Sequence, residues 1–110
     1  MIDNLTKRER AHENKFAQDQ EKIFKIRARR RKFIGLWAAQ QMHLNEEESL
    51  TYALDIVKYG VGKRTVDEIA ERILNDMRAK GVNVTLEQIQ DKMMACYEKA
   101  IETLQTEGEL

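Results

Sequence analysis

Hydrophobic residues recur at helical spacing along the last two-thirds of the chain. Three segments each begin with a residue that can cap a helix, followed three positions later by Glu or Gln, which is the spacing of a capping box. The pairs are Asn45 with Glu48, Thr65 with Glu68, and Thr85 with Gln88. Behind these pairs, apolar residues fall three and four apart, as on one face of a helix. They are Leu50, Ala53, Leu54 and Val57; then Ile69, Ala70, Ile73, Leu74 and Met77; then Leu86, Ile89, Met93, Cys96 or Tyr97, Ala100 and Leu104.

The ends of these predicted helices are also marked. Lys58 with Gly60, and Lys80 with Gly81, are typical of helix ends, because glycine adopts the left-handed backbone conformation there at little cost. Val84 and Ile89 occupy the two positions of a hydrophobic staple.

A fourth helix is predicted from about residue 19 to 42. Its apolar face would contain Ile23, Ile26, Phe33, Ile34 and Trp37, with Arg30 on the same line. Its basic residues Arg27, Arg29, Arg31 and Lys32 would lie mostly on the opposite face, with their charged groups paired to the acidic helices. The pattern therefore predicts an all-α protein, a four-helix up-and-down bundle of residues 19–108.

Residues 1–18 differ from the rest of the chain. Their only large apolar side chains are Met1, Ile2, Leu5 and Phe16. Ordering fifteen residues costs about 15–30 kcal/mol, whereas burying three or four large side chains returns about 5–12 kcal/mol. The segment is nevertheless rich in good helix formers. We expect a mobile, partly disordered N-terminal segment that becomes a full helix only on a partner.

Composition supports a single α-helical domain. The 110 residues are 42% hydrophobic and 35% charged, with no proline and five glycines. The net charge is zero, but the positive and negative charges are unevenly distributed along the chain. Residues 1–32 carry eleven Lys/Arg and five Asp/Glu, whereas residues 33–110 carry eight and fourteen. The first third is therefore expected to meet an acidic partner or to pack on its own acidic body.

Several classes of protein are not supported by the sequence. No apolar run approaches the ~20 residues of a membrane span, and the start is too polar for a secretory signal. One cysteine cannot form an internal disulfide, so a cytoplasmic protein is expected.

No catalytic motif is complete. The run GVGKRT (60–65) lacks the spacing and the upstream strand of a phosphate-binding loop, and is interpreted as a helix–helix turn. His12 and His43 have no partner at metal-ligand spacing, and Cys96 fits the apolar rhythm of the last helix. Glu46 to Glu48 fit a helix start. We therefore expect a protein that is not an enzyme and holds no metal.

The basic first third leaves three interpretations open. It could bind nucleic acid, it could lie on a membrane surface or in a partner's groove, or it could be the mobile helix of a protein inhibitor or assembly factor. The acidic body and the apolar setting of Trp37 and Phe33 argue against nucleic acid.

The run RERAHENKFAQDQEKIFKIRARRRKFIGLWAAQ (8–40) resembles the start of the zeta inhibitor subunit of the alphaproteobacterial F-type ATP synthase. The matching positions are Arg8, Glu9, Ala11, Glu13, Lys15, Phe16, Ala17, Asp19, Glu21, Phe24, Lys25, Ala28, Arg29, Arg30, Gly35, Trp37, Ala38 and Ala39. The resemblance continues more loosely through the rest of the chain.

The resemblance implies a four-helix bundle whose N-terminal segment inserts as a helix into the catalytic head of the synthase and blocks ATP hydrolysis. The candidate contact residues are then Arg8, Glu9, Arg10, His12, Glu13, Lys15 and Phe16. It implies no required cofactor, although some members of the family bind ATP or ADP weakly, and the sequence assigns no residue to that. The expected location is cytoplasmic, peripheral to the inner membrane through the synthase. Without its partner the chain is expected to be a monomer.

The chain also departs from the family pattern. His12 stands where phenylalanine is common, Leu5-Thr6-Lys7 replaces a more acidic start that contains phenylalanine, Arg31 replaces an asparagine, and His43 lies where a glycine often ends the helix. A histidine anchor buries less apolar area than phenylalanine, so weakened inhibition is expected. The alternative is a regulator with the same fold that does not inhibit.

Overall fold

Four helices follow one another in the computed structural model, which describes residues 19–62 and 64–110. They are α1 (Gln20–Gln41), α2 (Glu46–Tyr59), α3 (Val66–Ala79) and α4 (Leu86–Thr106), and these ranges contain no strand. Helix α1 packs against the other three, and α3 packs against α4. The prediction of an all-α four-helix bundle is confirmed. Residues 1–18, with all seven candidate contact residues, lie outside the described residues.

All three predicted capping boxes are present. The Thr65 hydroxyl accepts a hydrogen bond from the Glu68 N–H at 3.1 Å, and the Glu68 carboxylate accepts one from the Thr65 N–H at 3.0 Å. The same reciprocal pair joins Asn45 to Glu48 and Thr85 to Gln88. Each pair satisfies two backbone donors that a helix start leaves unpaired, which is why these helices begin where the sequence predicts.

The core lies where α1, α3 and α4 meet. The predicted face of α3 is buried, and so is that of α4 except for Leu86, which is half-buried. Val84 and Ile89 are also buried. The largest fully buried apolar side chains are Ile26, Ile34, Ile56, Ile69, Ile73, Met77, Ile89 and Met93, together with Tyr97. Phe33 and Trp37 are half-buried against this core, at the edge of α1.

The predicted apolar face of α2 is wrong in part. Leu50 and Leu54 are 48% and 46% exposed, and the buried side chains of α2 are Ser49, Ala53 and Ile56. The reason is the close approach of α1: a Cβ on Gly35 would lie 2.7 Å from the Ala53 Cα. Only small side chains fit between backbones this close, so the leucines face away from α1.

A second correction concerns Arg31 and Gly60. Arg31 was expected on the exposed face of α1, but it is 7% exposed and its Nη1 donates to the Val57 carbonyl at 3.4 Å. Gly60 was expected in the left-handed conformation, but its φ is −79°. A Cβ there would come too close to the outer part of the Arg31 side chain, which would have to move, so glycine is favoured here by space rather than by conformation. At Gly81, φ is +78° and the expectation of a left-handed residue is confirmed.

Polar side chains connect α2 to α3. The Tyr52 hydroxyl donates to the Asp76 carboxylate at 2.7 Å, and Arg72 donates to Asp76 at 3.2 Å and to Asp55 at 2.5 Å. Burial, with the hydrogen bond to Asp76, raises the pKa of Tyr52 well above its usual value. The phenol therefore stays neutral and remains a donor to Asp76.

Helix α1 ends on a histidine in the left-handed conformation. His43 has φ of 58°, its N–H donates to the Gln40 carbonyl at 3.1 Å, and the Leu44 N–H donates to the Ala39 carbonyl at 3.1 Å. This pair of bonds is the Schellman motif, in which the left-handed position is usually glycine.

The substitution His43→Gly is expected to stabilise the fold. Left-handed backbone costs a non-glycine residue about 1–2 kcal/mol, and the freedom that glycine has in the unfolded chain cancels about 0.4–1 kcal/mol of that gain. A net rise of about 0.5–1 kcal/mol in the free energy of unfolding should appear in urea titrations. His43→Ala, which keeps the strain, should give no such rise. Equal gains from both substitutions would contradict the role assigned to the left-handed backbone.

Candidate functional site

The predicted binding segment, residues 1–18, lies outside the described residues, which begin at Asp19, where that segment joins α1. Asp19 is extended, with φ −129° and ψ 92°, and its carboxylate accepts a hydrogen bond from the Lys22 N–H at 3.1 Å. The Ile23 N–H donates to the Asp19 carbonyl at 3.2 Å. Asp19 is thus the N-cap of α1, and it fixes the point at which the preceding chain joins the bundle.

Two ion pairs hold the first turns of α1 on the carboxy-terminal end of the chain. Arg29 donates two hydrogen bonds to the Glu107 carboxylate, at 2.7 and 3.0 Å. The Lys25 ammonium lies 3.0 Å from a Glu109 oxygen. We call Lys25, Arg29, Glu107 and Glu109 the clasp. The pairing of Arg29 with an acidic residue of another helix was predicted from the sequence. The two hydrogen bonds from Arg29 to one carboxylate fix the orientation of its guanidinium group.

The geometry of the clasp depends on how α4 ends. Gly108 has φ of 78°, its N–H donates to the Gln105 carbonyl at 3.0 Å, and the Glu109 N–H donates to the Leu104 carbonyl at 2.8 Å. This Schellman motif turns the chain back so that Glu107 and Glu109 both face α1. The sequence reasoning missed this feature. A glycine four residues after the last apolar residue of the α4 pattern was the signal that could have found it.

The clasp responds to pH in a defined direction. The hydrogen bonds from Arg29 hold the pKa of Glu107 below its usual value, and the hydrogen bond to Glu109 raises the pKa of Lys25. A carboxyl whose pKa is lower in the folded state stabilises that state above its ordinary pKa. The stabilisation is lost as the pH falls through the lowered value. The Arg29–Glu107 pair therefore stabilises the folded state at neutral pH and ceases to do so in acid.

An exposed aromatic ring lies on the same turns of α1. Phe24 is 61% exposed, although it lies between residues that contact the body of the protein. A large exposed apolar side chain next to a polar N-cap can add contact area to a partner surface. Phe24 is therefore an apolar side chain that a partner could contact at this end of α1.

Cys96 and the run GVGKRT, two candidates for chemical function in the sequence, both have structural roles. Cys96 is buried, as predicted, and burial raises the pKa of its thiol. Thr65 of the run GVGKRT caps α3, in agreement with a helix–helix turn. Over residues 19–62 and 64–110, no group of three or more His, Cys, Asp or Glu side chains could hold a metal ion. In the same part of the chain, no helix is long and apolar enough to span a bilayer.

Glu107→Gln is expected to loosen the start of α1 without unfolding the bundle, because exposed ion pairs contribute little to global stability. Hydrogen exchange of the amides of residues 23–28 should accelerate about two- to fivefold at neutral pH. The difference from the unmodified protein should disappear in acid, once the pH falls below the lowered pKa of Glu107 and that carboxyl is protonated.

Glu102→Gln is the matched control, since Glu102 is exposed on α4 and forms no ion pair among the described residues. If both variants changed the exchange of residues 23–28 equally, the clasp would not be the cause.

A search of curated proteins and a search of solved structures each found no match. The family model described as ATPase inhibitor subunit zeta matches residues 2–103, which is nearly the whole chain and includes most of residues 1–18. A match of this extent shows that the chain belongs to the ATPase inhibitor subunit zeta family.

Proposed function

We propose that this protein inhibits ATP hydrolysis by the F-type ATP synthase, and that residues 1–18 insert as a helix into the catalytic head. The observation that carries the proposal is the family match over residues 2–103, which supports a role as an ATPase inhibitor that regulates rather than catalyses. In this proposal residues 19–108 form the bundle domain. The protein is cytoplasmic and reaches the inner membrane only through the synthase.

The described residues support a fixed origin for the inhibitory segment. Helix α1 is held by its buried residues along one side and by the clasp at its start. In this proposal the segment that precedes Asp19 is attached to a helix that the bundle already holds in place. Such an attachment lowers the entropy that the segment loses on binding, because one of its ends is already placed.

The partner supplies the burial that the segment lacks. Residues 1–18 contain few large apolar side chains for their length, so docking on another protein would stabilise a helix that the segment cannot stabilise alone. The contact residues in this proposal are Arg8, Glu9, Arg10, His12, Glu13, Lys15 and Phe16. Exposed Phe24 would extend the same contact into the first turns of α1.

Inhibition by this chain is proposed to be weaker than the family pattern implies. His12 stands where phenylalanine is common, and an imidazole buries less apolar surface and must lose its hydration. The alternative is a regulator that keeps the bundle without inhibiting. An assay of ATP hydrolysis distinguishes an inhibitor from such a regulator.

Removal of residues 1–18 is expected to abolish inhibition. The assay compares ATP hydrolysis by the purified synthase head in the presence of the full-length protein and of residues 19–110. Inhibition by the full-length protein alone is the expected result. Equal inhibition by both would exclude insertion of the segment, and no inhibition by either would favour the regulator that does not inhibit.

His12→Phe is expected to lower the half-inhibitory concentration by about three- to thirtyfold, which corresponds to about 0.7–2 kcal/mol of added apolar burial. The matched control is His43→Asn, which changes a histidine at the far end of α1 and keeps a residue that tolerates left-handed backbone. An unchanged potency for His12→Phe would show that position 12 is not an anchor.

A further inference from the structure

A groove runs along the surface between α1 and α4, away from the clasp. It has a volume of about 330 Å³. Phe33 and Trp37 line it from α1, and Lys92, Ala95, Cys96 and Lys99 line it from α4. Because Arg29 contacts Glu107 and Phe33, four residues further along α1, contacts Lys99, the two helices are antiparallel here.

The floor of the groove is aromatic. Phe33 and Trp37 are half-buried, so each ring has one side on the core and another facing the groove. Ala95 is exposed between the two lysines and leaves the floor uncovered. A floor of this kind can receive one large apolar side chain from a partner.

The rim of the groove is positively charged. Lys92 and Lys99 are both exposed, and the Lys99 ammonium lies 4.7 Å from the centre of the Phe33 ring. The residues that line the groove include no carboxylate. Among the described residues, neither lysine forms an ion pair. This is a local cationic site on a body that is acidic, since residues 33–110 carry fourteen Asp/Glu and eight Lys/Arg.

The distance between the lysines indicates the kind of partner. Seven residues of α-helix span about 10.5 Å, so the backbone positions of the two lysines are separated by that length along the groove, and each lysine can pair with a different acidic group. Two carboxylates seven residues apart on a second helix match that spacing. A groove between two packed helices also fits the apolar face of a third helix.

We propose that this groove binds an acidic amphipathic helix of a partner protein. An apolar side chain of that helix packs on Phe33 and Trp37, and carboxylates one turn to either side pair with Lys92 and Lys99. The proposal goes beyond inhibition by residues 1–18, because the groove is built from α1 and α4 alone. Loss of either activity would leave the other intact.

Trp37 is the only tryptophan of the chain, so its fluorescence reports on the groove directly. The full-length protein is titrated with a synthetic helical peptide that carries a leucine between two glutamates seven residues apart. A second peptide has lysines in place of the glutamates. The acidic peptide is expected to shift the Trp37 emission and to bind at least about tenfold more tightly than the basic peptide.

Variants separate the groove from general charge effects. K92Q/K99Q should weaken binding of the acidic peptide by about tenfold or more, and Ala95→Glu should do the same, because it fills the groove and adds a negative charge. The control is K58Q/K80Q, which neutralises two exposed lysines on another surface and should leave binding unchanged. Circular dichroism confirms that each variant is folded.

The proposal would be overturned if the acidic and basic peptides bound equally, or if K92Q/K99Q bound the acidic peptide as tightly as the unmodified protein does. It would also be overturned if the acidic peptide did not shift the Trp37 emission, or if anionic phospholipid vesicles shifted it in place of the acidic peptide.

Discussion

The close contact between α1 and α2 constrains the rest of the bundle. Gly35 presents no side chain at the point where a Cβ would meet the Ala53 backbone, so the two helices pack nearly backbone against backbone. The small residues of α2 then face inward, and Leu50 and Leu54 face solvent. The same proximity brings Gly60 under Arg31, whose stem lies across the end of α2. A larger residue at position 35 would separate α1 from α2 and would also disturb the contact between Arg31 and the end of α2.

This packing gives the basic residues of α1 separate roles. Arg30 is 2% exposed, and its guanidinium carbon lies 5.3 Å from the centre of the Tyr97 ring, so it belongs to the core contact with α4. Arg31 belongs to the contact with α2, and Lys25 and Arg29 form the clasp. The charge of α1 is therefore used largely within the molecule, and it orients the helix that carries the proposed inhibitory segment. For this reason a basic sequence here does not by itself indicate nucleic-acid binding.

The sequence predicted the features that depend on local chemistry. The three capping boxes involve partners three residues apart, so their hydrogen bonds can be anticipated without the fold. The buried face of α2 could not be anticipated in this way, because Leu50 and Leu54 follow the same helical period as the small inward residues. Which of these residues are buried depends on the close approach of Gly35. Burial of Arg31 depends in turn on the space above Gly60. The seven candidate contact residues lie outside the described residues, so their assignment remains a prediction from the resemblance.

Gly35→Ala is the measurement that tests this account most directly. Alanine is a better helix former than glycine by about 0.8–1.0 kcal/mol, so a site without a close neighbour would gain stability. If α1 and α2 pack as described, overpacking should instead lower the free energy of unfolding by about 1–3 kcal/mol in urea titrations. Lys32→Ala, at an exposed position of the same helix, serves as the control and should change it by less than about 0.5 kcal/mol. A stability gain for Gly35→Ala would contradict the close contact on which the rest of the account depends.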